Sequence, residues 1–371
     1  MKRAFSAALL SAVLLLLCAC SQAPAGNAAS PEKAGSMELQ YAEHFSVDYY
    51  TDGSAVLTLG GRDRFLLLPE GAEPWTELPV IRIPVSQVYV ASSSVPDLFL
   101  CCGALGSLRF TGTNRESWRL PELQSALEAG ILLYAGKYSM PDYELLLEEG
   151  CDLVVENTMI LHNPETREKL ESLGFPVMVE YSSYESHPLG RVEWIRLYGL
   201  LTGHAAEADA FFEAQSALLQ TLVTQEPTEK SIAFFHITFN GAVVVRKSAD
   251  YVTRMIELAG GHSCFAELPE SENALSTTTI QMESFYQQAK DADVLIYNST
   301  VSGDLSGLAD LLEKSSLLAD FKAVQNGDVW CTEQSMFQQS SATAGMIRDF
   351  RSILTGEAAE LDRLQYLHRL T

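Results

Sequence analysis

The chain has 371 residues, 47% of them hydrophobic, and carries 25 basic against 48 acidic side chains, a formal net charge of −23. Such an acidic surface excludes nucleic acid and anionic lipid as partners, because both demand basic patches, and suits a basic protein surface instead. The apolar content is enough for real cores, and the length fits two lobes of ordinary domain size.

The N-terminus sets the compartment. Lys2 and Arg3 precede an apolar run from Ala7 to Leu17, followed by Leu17-Cys18-Ala19-Cys20-Ser21. A short basic stretch, an apolar core of about 7–15 residues and a small residue before the cut describe a secretory signal rather than a spanning helix. Aliphatic Leu17 and small Ala19 ahead of Cys20 read as a lipobox, so residues 1–19 are predicted to be removed and Cys20 lipidated. Cys18 fits less well, because Leu17 would then occupy the cleavage position. Residues 20–37, rich in Ala, Pro, Gly, Ser and Asn, read as a flexible tether. Loss of Lys2 and Arg3 leaves 23 basic against 48 acidic residues, a net of −25. Beyond Cys20, the five cysteines Cys101, Cys102, Cys151, Cys264 and Cys331 are odd in number and form no CxxC pair. They predict buried free thiols, not a disulfide framework or a zinc site.

From Phe45 to Pro69, alternating apolar residues with turns at Asp52-Gly53 and Gly60-Gly61 predict a β-hairpin. Short aliphatic strands then alternate with helices: strand 87–91, helix 95–105, strands 108–111 and 131–134, helix 141–149, strand 152–156, helix 164–173 and strand 177–180. That rhythm points to βα units on a parallel sheet. From His187 to about Gln225 the pattern is almost continuously helical, interrupted near Gly203. Strands 232–237, 242–246, 294–298 and 328–332 and helices 251–259, 280–289, 305–313 and 340–354 repeat the rhythm. The fold class expected is α/β, with two Rossmann-like lobes, parallel-rich sheets and a single long backbone helix between them. Residues 38–204 would form the first lobe with its leading hairpin, 205–226 the linker helix and 227–371 the second lobe.

A weak internal echo sharpens this division. Glu144 lies eight residues before Asp152-Leu153-Val154-Val155-Glu156-Asn157, and Glu283 ten before Asp293-Val294-Leu295-Ile296-Tyr297-Asn298. Ligands of such two-lobed chains sit between the lobes. Enzyme signatures are missing: there is no HExxH, no nucleophile elbow, and Gly136-Lys137 lacks the upstream glycine of a phosphate loop. The seven histidines are scattered singly. No intrinsic cofactor and no catalytic step are expected.

From Phe45 to Leu354 the chain resembles the solute-binding proteins of iron–siderophore, haem and cobalamin ABC importers. The resemblance rests on the order of Pro79-Val80-Ile81-Arg82-Ile83-Pro84, Val88-Tyr89-Val90-Ala91-Ser92-Ser93-Ser94, Pro141-Asp142-Tyr143-Glu144 and His187-Pro188-Leu189-Gly190-Arg191. Met255-Ile256-Glu257-Leu258-Ala259-Gly260-Gly261 and Ala323-Val324-Gln325-Asn326-Gly327-Asp328-Val329-Trp330 extend it into the second half. It implies two lobes with limited hinge motion, a small-molecule metal chelate as cargo (an iron chelate or tetrapyrrole), and a permease dimer with a cytoplasmic ATPase as partner. It also implies one glutamate per lobe that docks on permease arginines, by position Glu144 and Glu283. Each is also a helix-terminus acid favoured by the dipole, and the two roles are compatible.

The ligand cleft should lie at the C-terminal ends of the strands. Ser93, Trp118, Tyr184 and Arg191 are the candidates in the first lobe, and His236, Phe239, Asn240, Arg246, Asn298 and Gln339 in the second. Trp118 is either a ligand wall or a loop anchor, and Arg191 either neutralises an anionic chelate or pairs with Glu185 or Glu193. His236 either meets a chelated metal or hydrogen-bonds at a strand end. Aromatic walls with arginines suit a bulky anionic chelate and suit a bare ion poorly. A zinc or manganese carrier, an anchored hydrolase or chelatase-like enzyme, and an adhesive lipoprotein with a closed gap are the competing readings.

Overall fold

A computed structural model describes residues 30–268 and 277–371, so the predicted signal peptide and Cys20 lie outside the described residues. The leading hairpin proves to be the middle of a larger sheet. Strands β1 (Lys33–Ser36), β2 (Phe45–Tyr50), β3 (Ala55–Leu59), β4 (Asp63–Pro69) and β5 (Val80–Ile83) lie in that order, antiparallel as far as β4, with β5 parallel to β4. Both faces are covered: Leu57, Leu59, Phe65 and Leu67 enter the main core, while Val56, Leu66 and Leu68 pack under Trp75 and Leu78. β1 also claims the end of the predicted tether, pairing with β2 and placing Lys33 Nζ 2.8 Å from Asp48 Oδ1.

The first lobe follows as a five-stranded, wholly parallel sheet in the order β12-β11-β6-β7-β8. Its strands are β6 (Val88–Val90), β7 (Leu108–Thr111), β8 (Leu133–Tyr134), β11 (Leu153–Asn157) and β12 (Val177–Glu180), with a two-residue pair β9 (Gly136–Lys137) and β10 (Met140–Pro141) beside them. Helices α1 (Pro96–Cys101), α2 (Pro121–Glu128), α3 (Tyr143–Glu148) and α4 (Pro164–Ser172) connect them. In the second lobe β13 (Ser231–Ile237), β14 (Val243–Arg246), β15 (His262–Ser263), β16 (Thr277–Ile280), β17 (Val294–Tyr297), β18 (Val329–Thr332) and β19 (Leu367–Arg369) form a mixed sheet. β13, β17 and β18 are its parallel centre, and β14, β16 and β19 are antiparallel additions. Its helices are α7 (Tyr251–Leu258), α8 (Met282–Ala289), α9 (Ser299–Ser302), α10 (Leu308–Lys314), α11 (Lys322–Asn326) and α12 (Thr343–Thr355).

The internal echo has a shared chemical cause. Asp152 Oδ2 accepts from the backbone N–H of Ser86 and Gln87, at 2.7 and 3.0 Å, just before β6. Asp293 Oδ2 accepts from the N–H of Ser231, at 2.8 Å, where β13 opens. In each lobe the aspartate entering one central strand ties down the start of its neighbour, and a charged acceptor makes that tie stronger than a neutral one.

Between the lobes run α5 (Pro188–Thr202) and α6 (Ala205–Val223), broken at Gly203, whose φ of +80° caps α5 in the left-handed region. Gly199 lets the two helices approach closely, since a methyl there would overlap Ala208. One hydrophobic cluster runs from Leu57 and Val88 through Trp194, Phe212 and Leu219 to Phe234 and Phe350, so both lobes pack on one shared core. Buried carboxylates fasten the chain to this spine. Glu193 accepts from the N–H groups of Gln40, Tyr41 and Ala42 at 2.7–2.8 Å. Glu185 accepts from Glu43, His44 and the Trp194 indole, and Asp349 on α12 accepts from Gln365 and Tyr366. Each N–H stranded by loss of its acceptor would cost about 1–3 kcal/mol.

One buried carboxyl has no such role. Glu156 on β11 is fully buried, neither oxygen has a hydrogen-bond partner, and burial pushes it from its ordinary 4.5 up to about 8. The folded state therefore keeps a proton that the unfolded chain releases, and stability is lost as pH climbs from 4.5 to 8. Glu156→Gln should remove that loss: denaturant midpoints of the two proteins should coincide near pH 4, with the variant ahead by about 4 kcal/mol at pH 8. Parallel pH profiles would mean that Glu156 ionises as freely folded as unfolded.

Candidate functional site

The lobes meet along the C-terminal ends of the first lobe's strands and the segment after β18. The loop after β7 crosses directly: the Arg119 N–H donates to Gln338 Oε1 at 2.8 Å, Gln338 Nε2 to the Ser117 carbonyl at 2.8 Å, and Arg119 Nε to Gln334 Oε1 at 2.7 Å. On α1, buried Asp97 accepts from the Ser341 N–H at 2.8 Å, and burial raises its carboxyl above the usual range. Between these bonds lies a cavity of about 30 Å³, lined by Ser94 of the first lobe, Arg191 of α5, and Tyr251, Phe337, Gln339 and Ser340 of the second lobe. That is room for a single water.

The charges at this cavity are unusual. The Arg191 guanidinium lies 3.9 Å over the centroid of the Tyr251 ring. Arg246 stands 4.8 Å from the Phe337 centroid and 5.5 Å from that of Phe234, with Nη1 3.6 Å from Asp250 Oδ2. Both guanidinium groups pull on Asp250, yet burial dominates and lifts its carboxyl above the ordinary value. Asp250 also caps α7 through the Val252 N–H, at 2.9 Å. Behind Arg191, Glu180 is fully buried and likewise raised, its oxygen accepting from the Ser182 N–H. Guanidinium groups from α5 and β14 thus flank one desolvated pocket, where burial raises the carboxyls of Asp250 and Glu180, and such groups can take the oxygens of an anion.

Arg191 and Gln339 line the cavity, Ser93 sits beside its Ser94, and Arg246 stands against Phe337 on its wall. Arg191 pairs with neither Glu185 nor Glu193, because backbone N–H groups of 40–44 already occupy those carboxylates. Tyr184 and Phe239 are exposed just past β12 and β13, and Asn240 is exposed beside Phe239. Trp118 is the anchor of its loop, not a wall of the gap: it is fully buried in the first lobe and its indole N–H donates to the Thr113 carbonyl. His236 lies within β13, not after it, and burial with nearby Arg246 lowers its pKa below the ordinary imidazole value. Asn298 is buried and committed to capping α9, its Oδ1 accepting from the Thr300 N–H and hydroxyl. Glu144 and Glu283 are both exposed at the second position of their helices, α3 and α8.

Sequence reasoning missed Tyr251, Phe337 and Gln334, while Gln338 was placed beside Gln339 at the gap. Tyr251 could have been found, since it follows the capping Asp250 at a helix start. The glutamines carry no pattern, because their partners lie more than 200 residues away.

Comparison with known proteins places this geometry. A family model described as periplasmic binding protein matches residues 110–335. An uncharacterized lipoprotein of Methanocaldococcus jannaschii is 23% identical over 356 residues, spanning 88% of this chain and 84% of its own length. The crystal structure of the periplasmic haem-binding protein HutB of Vibrio cholerae superposes with a TM-score of 0.57 at 21% identity, over 70% of this chain and 96% of that one. The molybdate-bound protein MolA of Haemophilus influenzae superposes with a TM-score of 0.59 at 12% identity, over 77% and 90%. At such identities the two structures establish the shared two-lobed fold.

Proposed function

We propose a cargo from the premise that this chain belongs to the periplasmic binding protein family, extracytoplasmic solute-binding subunits that work with an ABC permease and its ATPase. The cargo is an anionic metal chelate, an iron–siderophore or a tetrapyrrole such as haem or cobalamin, captured between the lobes. One observation carries this reading: two guanidinium groups stand at the same gap, Arg191 stacked 3.9 Å over the Tyr251 ring and Arg246 with Nη1 3.6 Å from Asp250 Oδ2. Planar guanidinium groups bind carboxylate or catecholate oxygens in pairs and stack on flat rings. Exposed Tyr184 and Phe239 supply the aromatic contact that a bulky ligand needs. The lobes must part to admit a chelate, since the present cavity of about 30 Å³ holds one water.

That same volume favours a second reading, a small oxyanion of the molybdate kind, which two guanidinium groups could clamp with little opening. Thermal denaturation of the full chain with ferric siderophores, haem, cobalamin and molybdate separates the two. The true ligand at a hundredfold its Kd should add about 2.7 kcal/mol and raise Tm by a few degrees. Arg191→Ala should weaken it about 10- to 100-fold, as expected for one charged hydrogen bond. A shift with molybdate alone would assign the oxyanion, and no shift with any of them would sink both readings.

Glu144 and Glu283 dock on permease arginines, one from each lobe, at equivalent helix starts. Rim charges of this kind govern encounter and register more than ligand affinity. The double variant Glu144→Arg/Glu283→Arg should abolish uptake in cells while leaving ligand Kd within about twofold. Unchanged uptake would reduce both to acids stabilising helix termini.

Cys20 carries the lipid anchor, a reading supported by the leader sequence and by the lipoprotein relative. Cell fractionation checks it: Cys20→Ser should move the protein from membrane to soluble fraction, and membrane retention of the variant would refute lipidation.

A further inference from the structure

Away from the gap, three side chains of the second lobe from distant parts of the chain meet at one edge of its sheet. Cys331 on β18 and His368 on β19 are directly paired across the antiparallel ladder, and Asp304 reaches them from the turn after α9. Cys331 Sγ is 3.6 Å from Asp304 Oδ1, His368 Nε2 is also 3.6 Å from Asp304 Oδ1, and all three ligand atoms lie within 4.8 Å of one another. A tetrahedral ion with bonds of about 2.0 Å to nitrogen and oxygen and about 2.3 Å to sulfur sets its ligands roughly 3.3–3.7 Å apart. Two of the three edges therefore already have the length that a bound ion would impose.

The surroundings add a second and a third feature of a metal centre. The other ring nitrogen of His368, Nδ1, lies 2.9 Å from Glu333 Oε1, so a carboxylate on one side fixes the ring with Nε2 turned to the other ligands. Such an outer carboxylate orients a ligating histidine and strengthens it as a donor. On the open side, Asp304 borders a shallow hollow of about 410 Å³ with Leu305, Asp310, Glu313 and Lys314, which gives an ion its entry and its fourth ligand from solvent. Buried Cys331 supplies the thiolate once an ion displaces its proton to water.

We propose that Cys331, His368 and Asp304, oriented by Glu333, form a binding site for one divalent cation of the zinc class within the second lobe. The sulfur and imidazole select zinc or cobalt over calcium and magnesium, which take oxygen ligands. The site is separate from the cargo gap, because every ligand belongs to the second lobe and none lines the cavity at Arg191. Its role is structural: it clamps edge strand β19 and the turn after α9 to β18.

Titration of Co²⁺ alone into the chelator-stripped full chain tests this. One equivalent should bind with a thiolate-to-cobalt charge-transfer absorption, and Zn²⁺ should erase it. Cys331→Ser should abolish the absorption. Asp304→Asn and His368→Gln, both at partly solvated positions that tolerate replacement, should weaken Co²⁺ binding at least about tenfold. Glu333→Gln should weaken it about 10- to 100-fold. Saturation without the thiolate band, or a band unchanged in Asp304→Asn and His368→Gln, would overturn the site and leave the trio as an ordinary ion-paired cluster.

Discussion

Everything in this molecule turns on a core that the two lobes hold in common. The apolar faces of α5, α6 and α12 are packed against one another and against strands of both sheets, with Trp194, Phe212, Phe234 and Phe350 in one continuous cluster. Close-packed interiors do not deform gradually. Wide opening of the lobes would expose this shared surface at about 25 cal/mol per Å². Motion is therefore confined to the periphery, where the lobes touch through polar pairs such as Arg119 with Gln334 and Gln338, or Asp97 with Ser341. Those bonds can exchange with water at little net cost.

A stiff spine also fixes the guanidinium groups at the gap. Arg191 sits near the start of α5 and Arg246 at the end of β14, both rooted in rigid elements, with rings of Tyr251, Phe234 and Phe337 flanking them. Their positions are set before any ligand arrives, so little ordering entropy remains to be lost on binding. Burial raises the carboxyls of Asp250 and Glu180 beside these guanidinium groups, so the polar groups of the gap are packed against rings instead of water.

The sequence made the long-range plan legible because strong local rules agree with it. Gly203 breaks the helical connector where expected, and the paired aspartates Asp152 and Asp293 mark the same tie in each lobe. What escaped were short edge strands, β1, β5 and β19, too brief for alternation to register. The site was half legible. Arg191 and Gln339 lie at the gap as their places in the chain suggest, and of the two readings left open for Trp118 the loop anchor holds, its indole turned inward to Thr113. Asn298 shows the limit: its place at a strand end does not tell that its side chain is spent on capping the next helix.

The five described cysteines are all unpaired, and burial lifts every one of their thiols, Cys101, Cys102 and Cys264 to about 11 and Cys151 and Cys331 to about 12. At neutral pH hardly any thiolate exists to attack a disulfide or an oxidant. In the folded chain these sulfur atoms are therefore slow to oxidise or exchange, and they serve as small apolar packing groups that an oxidising surrounding leaves untouched.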